Sequence, residues 1–340
     1  MNRTGALWQD ERHAFKPRSV PALACLLGLL TAMGRGLAMV AMIVAAPGHS
    51  ISEAPKPIHI ILDTDIGTDI DDAFALALVL DSPELDLLGV TTVSGDTEAR
   101  AALAAKMLRE GGRGNIPVYA GVPGKPLPCV QCRWAEGFQS HQPHNGGAVE
   151  FLDASFNRRP GEITLVTIGP LTNVRALLKK DPSVAKKIQR IMMMGGSIRR
   201  GYRPGSNPEP EYNIAADIPA AQAVFSSGIP ILMAPLDVTA MLQLDRPARE
   251  RIFSRADSPS RALGALYALW GQETPTLFDP MAVSLLIEPR LSETERLHIA
   301  VNSRGMTLAL PGQSANATVA LRNDPKRFFD FFLGRVAPER

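Results

Sequence analysis

From Ile58 onward, short apolar segments alternate with longer amphipathic segments, and this alternation limits the possible folds more than any other feature of the sequence. The pattern predicts strands at 58–62 and 87–93 with a helix at 72–81 between them. It continues with strands predicted at 116–119, 163–168, 188–194 and 229–236 and helices at 97–110, 171–180 and 220–226. Strands separated by helices favour parallel pairing, so we expect an α/β fold in which helices cover both faces of a mostly parallel sheet.

The first 50 residues differ in composition from the rest of the chain. Basic residues precede an apolar segment that spans 20–46 and is interrupted by Arg35. This order is typical of an export signal, and each half of the segment is shorter than the roughly 20 apolar residues of a bilayer-spanning helix. We expect 1–50 to be an export signal or apolar leader and 57–336 to be a single domain, in the periplasm or outside the cell. An uncleaved leader that anchors the protein in the membrane and an incorrectly assigned start codon are the alternatives.

Composition and charge narrow the class of ligand. Hydrophobic residues make up 45% of the chain, which is enough to bury a sizeable core. Lysine and arginine total 36 against 34 aspartate and glutamate residues, so the formal net charge is +2. This balance gives no field that would attract nucleic acid or an anionic membrane surface. We therefore expect a small-molecule ligand and no nucleic-acid partner.

Three cysteines are present, and Cys25 lies within the apolar leader. Cys129 and Cys132 form a C-x-x-C pair in a segment rich in proline and glycine. In an oxidising compartment the simplest interpretation of this pair is a local disulfide. A zinc site would need a second pair of ligands, and a thioredoxin-like redox centre would need a helix that starts after Cys129.

Polar clusters follow four of the predicted strands. They occupy 63–72, 94–96, 169–173 and 194–213. Ligands of parallel α/β sheets bind outside the carboxyl ends of the strands, and these ends share one edge of the sheet. The sequence therefore predicts that the four clusters form a single site.

The cluster after the first strand is strongly acidic. It contains five carboxylates within ten residues: Asp63, Asp65, Asp69, Asp71 and Asp72. Two like charges about 4 Å apart repel by roughly 1 kcal/mol in water and by about 4 kcal/mol at an effective dielectric constant of about 20. A bound divalent cation reverses this repulsion, and an all-oxygen ligand set favours calcium or magnesium over zinc. Helix capping is the alternative explanation, but it needs only one or two of these carboxylates.

These motifs resemble those of the nucleoside hydrolases, in particular the inosine/uridine-preferring members. The sequence Asp63-Thr64-Asp65-x-Gly67 followed by Asp71-Asp72-Ala73 is similar to the amino-terminal signature of that family. Further matches occur in the family's order at 90–96, 168–173, 193–196, 211–214, 235–239 and 278–282. The resemblance implies a doubly wound α/β fold. It also implies an enzyme of nucleoside salvage that hydrolyses the N-glycosidic bond of ribonucleosides, or of a related N-riboside, to base and ribose.

The resemblance further implies a bound Ca²⁺ and a role for each matching residue. The implied calcium ligands are Asp65, Asp72, the main-chain carbonyl of Ile168 and Asp279. Asp65 is also the implied catalytic base. The implied ribose contacts are Asp71, Asp96, Met194, Glu211 and Asn213. Members of the family are commonly dimers or tetramers, so a homodimer or homotetramer is expected here.

A carboxylate base is also expected on chemical grounds. Ca²⁺ polarises bound water only weakly, so such a water stays mostly protonated near neutral pH and needs a base such as Asp65 to accept its proton. Cleavage of an N-ribosyl bond passes through a state with positive charge on the sugar, which nearby carboxylates stabilise. A dense acidic pocket suits this reaction.

One departure from the family pattern concerns the leaving group. Phe278 occupies the position of a histidine that protonates the base in purine-active members, and phenylalanine cannot donate a proton. Activation of the leaving group is then expected to come from another residue, from solvent, or from a base that leaves more easily. The candidate residues are His144, which is expected to contact the substrate, and His141, both in the loop at 140–147.

Three further positions do not align directly with the family's motifs. Asp69 and Ile70 are inserted before the paired aspartates, so Asp69 is a possible substitute ligand. The family's ribose-binding asparagine is displaced, and Asn207 is the nearest replacement. Trp270 is a candidate for stacking on the base, with core packing as the alternative.

Two other functions fit part of the sequence. An aspartate-dependent phosphatase also uses two aspartates separated by one residue after a strand, here Asp63 and Asp65. Gly67 stands where such enzymes usually have Thr or Val, and their later motifs are missing. The other possibility is a non-catalytic exported protein that binds calcium and ribose. Phe278 motivates this possibility, and the retained Asp65 argues against it.

Overall fold

The computed structural model describes residues 56–139 and 147–339. The strands are β1 (Ile58–Thr64), β2 (Leu85–Thr92), β3 (Val118–Ala120), β4 (Ile163–Thr167), β5 (Arg190–Met194), β6 (Ile231–Ala234), β7 (Ser292–Leu297), β8 (Ile299–Val301), β9 (Thr307–Ala309) and β10 (Ala317–Asn323). The α-helices are α1 (Asp71–Leu80), α2 (Thr97–Glu110), α3 (Ala148–Arg158), α4 (Thr172–Lys180), α5 (Tyr212–Ala216), α6 (Ile218–Phe225), α7 (Leu236–Thr239), α8 (Arg246–Phe253), α9 (Ser258–Trp270), α10 (Phe278–Ile287) and α11 (Pro325–Val336). Shorter 3₁₀ helices occupy Val130–Ala135, Pro182–Lys186 and Pro289–Leu291.

One sheet contains eight of these strands in the order β3-β2-β1-β4-β5-β6-β10-β7. Neighbouring strands are parallel except for β10 and β7, which pair antiparallel at one edge. The strand order reverses at β1, because β2 and β3 lie on one side of it and β4 on the other. This arrangement confirms the predicted α/β class with a mostly parallel sheet. The reversal also opens a crevice at the carboxyl ends of β1 and β4, where ligands bind in such folds.

Apolar layers cover both faces of the sheet, as the sequence predicted. Ile60 and Leu62 of β1 belong to the layer formed with α1, α2 and α10, whereas Ile61 belongs to the layer formed with α3, α4 and α6. Successive side chains of a strand point to opposite faces, so a strand buried on both sides needs a continuous apolar run. The run at 58–62 has this character for that reason.

The predicted strands and helices are all present, and their ends differ from the predicted ones by at most two residues. No helix of the described ranges is both long enough and apolar enough to cross a bilayer. The predicted leader at 1–50 lies outside the described residues, so the division into a leader and a domain at 57–336 stays a prediction.

Candidate functional site

A pocket of about 210 Å³ lies at the carboxyl ends of β1, β4 and β5. Its lining is Asp65, Thr68, Asp69, Asp71, Asp72, Ile168, Met194, Tyr202, Glu211, Tyr212, Asn213, Phe278 and Asp279. Two of the four polar clusters expected from the sequence, 63–72 and 194–213, contribute to this lining, and Ile168 directly precedes a third. The sheet therefore gathers side chains that are more than 200 residues apart in the chain.

The deepest part of the site is formed where two helices begin. Asp71 and Asp72 are in the first turn of α1, and Asp279 is in the first turn of α10. Their carboxylate oxygens lie within 4.8 Å of one another, and each residue is at most 4% exposed. The main-chain N–H of Asp279 donates to Asp71 Oδ2 at 3.3 Å. The positive ends of two helix dipoles thus face the three carboxylates.

Burial raises the pKa of Asp71, Asp72 and Asp279 well above the usual range, and repulsion between neighbouring carboxylates raises it further. Three buried carboxylates this close together are stable only when protons or a cation neutralise them. Clustered oxygen donors without nitrogen or sulfur suit a hard divalent cation. The donor set therefore fits a Ca²⁺ or Mg²⁺ ion.

Asp65 lines the same pocket at the end of β1 but does not belong to the group of three. Burial raises its pKa to about 6, and the charge of Arg100 partly opposes this shift. The structure groups Asp71 rather than Asp65 with the other carboxylates. The ligand set Asp65, Asp72, Ile168 and Asp279 therefore stays a prediction, to which Asp71 is added as a candidate.

A second wall comes from the end of β5 and the start of α5. Glu211 caps α5, and its carboxylate accepts hydrogen bonds from the N–H groups of Gly196 at 2.8 Å and Asn213 at 2.9 Å. Asn213 Nδ2 lies 3.3 Å from the carbonyl oxygens of both Ile168 and Met194. These bonds hold the Ile168 carbonyl, the predicted main-chain ligand, at the pocket.

Aromatic side chains complete the lining. Phe278 begins α10, and its ring meets the Tyr202 ring edge-to-face with centroids 6.0 Å apart. The Tyr202 hydroxyl accepts a hydrogen bond from the N–H of Tyr212 at 2.9 Å. Sequence reasoning missed Tyr202, although an aromatic residue in the glycine- and proline-rich segment after a predicted strand was an available signal. An aromatic wall suits a planar base.

Several predicted substrate contacts lie elsewhere in the structure. Asp96 is exposed, and its carboxylate caps α2 by accepting from the N–H of Ala99 at 3.0 Å. Asn207 is exposed between β5 and α5 and does not line the pocket. Trp270 ends α9 and hydrogen-bonds to Asp69, so it lies beside the lining rather than in it. The substrate-binding roles of these three residues stay predictions.

The loop histidines His141 and His144 lie outside the described residues, so their predicted contacts with the substrate also stay predictions.

Asp63 does not face the pocket. It is fully buried, and its Oδ1 accepts from Thr91 Oγ1 at 2.6 Å and from Asn173 Nδ2 at 2.7 Å. Burial raises its pKa to about 7. A phosphatase would need Asp63 as an accessible nucleophile, so the structure argues against that alternative.

The C-x-x-C pair lies next to this site. Cys129 and Cys132 are joined by a disulfide at the start of the 3₁₀ helix Val130–Ala135. A Cβ atom added at Gly67 would lie 2.4 Å from Cys129 Sγ. The disulfide turn therefore packs directly against the chain that leads from β1 to α1.

Residues 60–330 match the family described as inosine-uridine preferring nucleoside hydrolase. An uncharacterised protein of Schizosaccharomyces pombe is 34% identical over 315 residues, which are 82% of this chain and 98% of that protein. The pyrimidine-specific ribonucleoside hydrolase RihA of Citrobacter koseri is 33% identical over 310 residues, 82% of this chain and 97% of its own length. The whole pocket lies within the matched part of the chain.

Solved structures give the same result for the fold. A plant nucleoside hydrolase superposes with a TM-score of 0.74 at 26% identity, covering 83% of this chain and all of that chain. The purine-preferring ribonucleoside hydrolase from Gardnerella vaginalis superposes with a TM-score of 0.72 at 26% identity, covering 82% of this chain and 98% of that chain.

Proposed function

This chain belongs to the inosine-uridine preferring nucleoside hydrolase family, and from that premise we propose that it splits ribonucleosides in a Ca²⁺-dependent reaction with Asp65 as the base. As a member of this family it is a hydrolase of N-glycosyl compounds. The observation that carries the proposal is the buried carboxylate group of Asp71, Asp72 and Asp279 beside Asp65.

The proposed cation is held by Asp72, Asp279 and the Ile168 carbonyl, together with Asp65 or Asp71. When bound, Ca²⁺ supplies positive charge that neutralises these carboxylates and fixes a sugar diol and a water in one orientation. Asp72 and Asp279 lie in the first turns of two helices, and Ile168 directly follows a strand. These regular elements hold the oxygen donors in fixed positions, which supports the assignment.

Asp65 then accepts a proton from the attacking water while the water oxygen bonds to the anomeric carbon and the C–N bond breaks. Burial raises the pKa of Asp65, which makes its carboxylate a stronger base, and the charge of Arg100 opposes this shift. The surrounding carboxylates stabilise the positive charge that develops on the ribose. Glu211 and Asn213 are proposed to bind the sugar hydroxyls, and Met194 to pack against the ring.

The leaving base is proposed to lie against Phe278 and Tyr202. Phe278 donates no proton, so the base must be stabilised in another way. The Tyr202 hydroxyl already accepts from Tyr212, which leaves its own hydrogen to donate to an acceptor on the base. Burial raises the pKa of Tyr202, so this group is suited to hydrogen bonding rather than to proton transfer.

Release of reducing sugar from a panel of ribonucleosides, with and without a chelator, tests the proposal. The panel contains pyrimidine and purine ribonucleosides, because relatives named for each kind share this fold. We expect ribose release that the chelator abolishes and added Ca²⁺ restores. Calcium-dependent nucleoside binding without ribose release would instead support the non-catalytic binding protein.

We also propose that 1–50 directs export, which leaves membrane attachment possible only through an uncleaved leader. The Cys129–Cys132 disulfide supports export, since such bonds persist mainly in oxidising compartments. Fractionation of cells that express the full chain, with sequencing of the mature amino terminus, tests this location. Recovery of the intact chain in the cytosol would contradict it.

Light scattering of the purified protein tests the proposed homodimer or homotetramer.

A further inference from the structure

The segment between β1 and α1, residues 65–70, is irregular, and we call it the acidic loop. Such a loop keeps its shape only if other groups satisfy its main-chain carbonyls. Two fully buried residues, Arg100 and Gln131, supply donors to four of the six carbonyls. Neither residue lines the pocket.

Arg100 belongs to α2 and reaches both loops that follow the central strands. Its Nη1 donates to the carbonyls of Asp65 and Ile66, the latter at 2.8 Å. Its Nη2 donates to Thr68 Oγ1 at 2.8 Å, and its Nε donates to the carbonyl of Ser94 at 2.8 Å. One guanidinium group thus ties the acidic loop to the chain after β2.

The Ser94 contact falls on an unusual backbone conformation. Ser94 has φ of 69°, and no other non-glycine residue of the described ranges has a positive φ. Residues with side chains rarely adopt this region, and such conformations persist only when surrounding contacts enforce them. The bond from Arg100 Nε is one of these contacts.

Gln131 holds the acidic loop from the disulfide turn. Its main-chain N–H donates to the carbonyl of Gly67 at 3.3 Å, and its Nε2 donates to the carbonyl of Asp69 at 2.6 Å. Gly67 has φ of 116° and sits against Cys129 Sγ, where no side chain fits. The disulfide turn therefore fixes the position from which Gln131 donates.

These bonds fix the course of the main chain in the acidic loop. The carbonyls at 65, 66, 67 and 69 each accept a hydrogen bond from Arg100 or Gln131. The side chains of Asp65 and Asp69 line the pocket. Arg100 itself has no carboxylate within 4.0 Å among the described residues, so carbonyls and one hydroxyl are its direct partners.

We propose that Arg100 and Gln131 are positioning residues that fix the backbone of the acidic loop and thereby aim Asp65 at the reacting water and the cation. This inference rests on the proposed function of the same site. Contacts behind the ligands of a metal site orient those ligands, and their loss typically lowers metal affinity or activity by about 10- to 100-fold.

Arg100→Lys is the first test, since an ammonium group cannot reproduce the planar set of donors that a guanidinium presents. We expect kcat and the Ca²⁺ affinity measured by calorimetry each to fall by about 10- to 100-fold. The KM should change less, because Glu211 and Asn213 remain in place to bind the ribose.

Arg249→Lys is the matched control. Arg249 is also buried, at 6% exposure, and its Nη1 donates to the carbonyl of Leu244 at 2.6 Å, but it does not line the pocket. Both variants should lose thermal stability, and Arg249→Lys should keep normal kcat and Ca²⁺ affinity. If Arg100→Lys matched Arg249→Lys in both measurements, the positioning role would be wrong.

Gln131→Leu tests the other side of the acidic loop and decides the matter if Arg100→Lys does not fold. Its control is Gln222→Leu, which removes the same type of bond, from Gln222 Nε2 to the carbonyl of Val301 at 2.9 Å, at an exposed position that does not line the pocket. We expect faster amide hydrogen exchange of 65–70 and weaker Ca²⁺ binding in Gln131→Leu but not in the control. Unchanged exchange and unchanged Ca²⁺ binding would overturn the proposal.

The two proposals fail in different ways. If the wild-type protein released no ribose from any nucleoside, the proposed function would be wrong, while hydrogen exchange and calorimetry would still report whether the two residues hold the acidic loop. If the wild-type protein were active and the variants behaved like their controls, only the positioning role would be wrong.

Discussion

The two ends of the central sheet carry cavities of opposite character. The cavity at the amino ends of β1, β4, β5, β6 and β10 has a volume of about 610 Å³, against about 210 Å³ for the acidic pocket at the carboxyl ends. The residues proposed to carry the chemistry line the smaller cavity. Volume alone therefore does not identify the site in this molecule.

The difference lies in how the charges are compensated. At the amino ends, His59 Nδ1 lies 2.8 Å from Asp86 Oδ2, and Arg159 Nη1 lies 3.2 Å from His59 Nε2. At the carboxyl ends, carboxylates face one another and burial raises their pKa. Among the described residues no basic side chain bonds to Asp71, Asp72 or Asp279, and such a cluster of buried carboxylates points to a functional site more directly than a large cavity does.

The largest difference between substitutions at the two ends of the sheet is expected in kcat, and it is expected for Asp65→Asn at the carboxyl ends. An amide cannot accept a proton from water, so kcat should fall by about 1000-fold while Ca²⁺ still binds weakly. Asp86→Asn at the amino ends makes the same chemical change and should leave kcat normal. Steady-state kinetics of both variants check this contrast, and near-normal rates for Asp65→Asn would exclude it as the base.

The next effect concerns stabilisation by the cation. A ligand present at about 100 times its Kd stabilises the folded state by about 2.7 kcal/mol, so Ca²⁺ should raise the Tm of the wild-type protein. Asp279→Asn should lose most of this rise, because it removes one of the three clustered carboxylates. Asp86→Asn should keep it. Thermal scans with Ca²⁺ and with chelator provide the measurement, and an equal rise in all three proteins would argue against the site.

A smaller effect is expected from pH. Because burial raises the pKa of Asp71, Asp72 and Asp279, these groups bind protons that a cation must displace. Ca²⁺ affinity should therefore rise as the pH is raised through and above the range in which ordinary carboxyl groups titrate. Calorimetry in buffers of different ionisation enthalpy should detect proton release on binding. An affinity that is the same across this range would contradict the raised pKa values.

The smallest effect is expected near the amino ends. Arg335 lowers the pKa of Glu84 below its usual range through two hydrogen bonds of 2.7 Å. A lowered pKa in the folded state stabilises the protein above the unfolded pKa, and this contribution is lost as the pH falls through the folded pKa. Because Glu84 is 39% exposed, Glu84→Gln should cost only about 0.5 kcal/mol at neutral pH and nothing in strong acid. Urea unfolding at the two pH values checks this difference.

Much of the fold and part of the site followed from local sequence patterns. The order of strands and helices was predictable because side-chain periodicity reports burial directly. The acidic residues Asp65, Asp71 and Asp72 were predictable because so many carboxylates after one buried strand have few structural explanations. Asp279 came from the family resemblance, since nothing local distinguishes it.

Other parts of the site were missed because their role depends on distant contacts. Arg100 interrupts the buried stripe of α2 that also contains Leu103, Ala104, Met107 and Leu108. A charged residue on the buried face of a helix indicates that it has a hydrogen-bonding partner inside the protein. The sequence around Arg100 does not show that this partner is the main chain of the acidic loop. Gln131 and Tyr202 gave weaker signals still, since Gln131 lies in a short 3₁₀ helix and Tyr202 in an irregular segment, and neither belongs to a periodic pattern.

The sequence by itself determined the α/β class, the carboxyl-end location of the chemistry and an acidic centre, because these depend on periodicity and on the composition of single segments. Tertiary structure alone decided that Asp279 lies beside Asp71 and Asp72. It also decided that Asp96 caps a helix at the surface, and that Arg100 and Gln131 donate hydrogen bonds to the acidic loop. The physical reason is that hydrogen bonds and charge repulsion act over a few ångströms in space. Only the folded sheet brings residues from distant segments within that range.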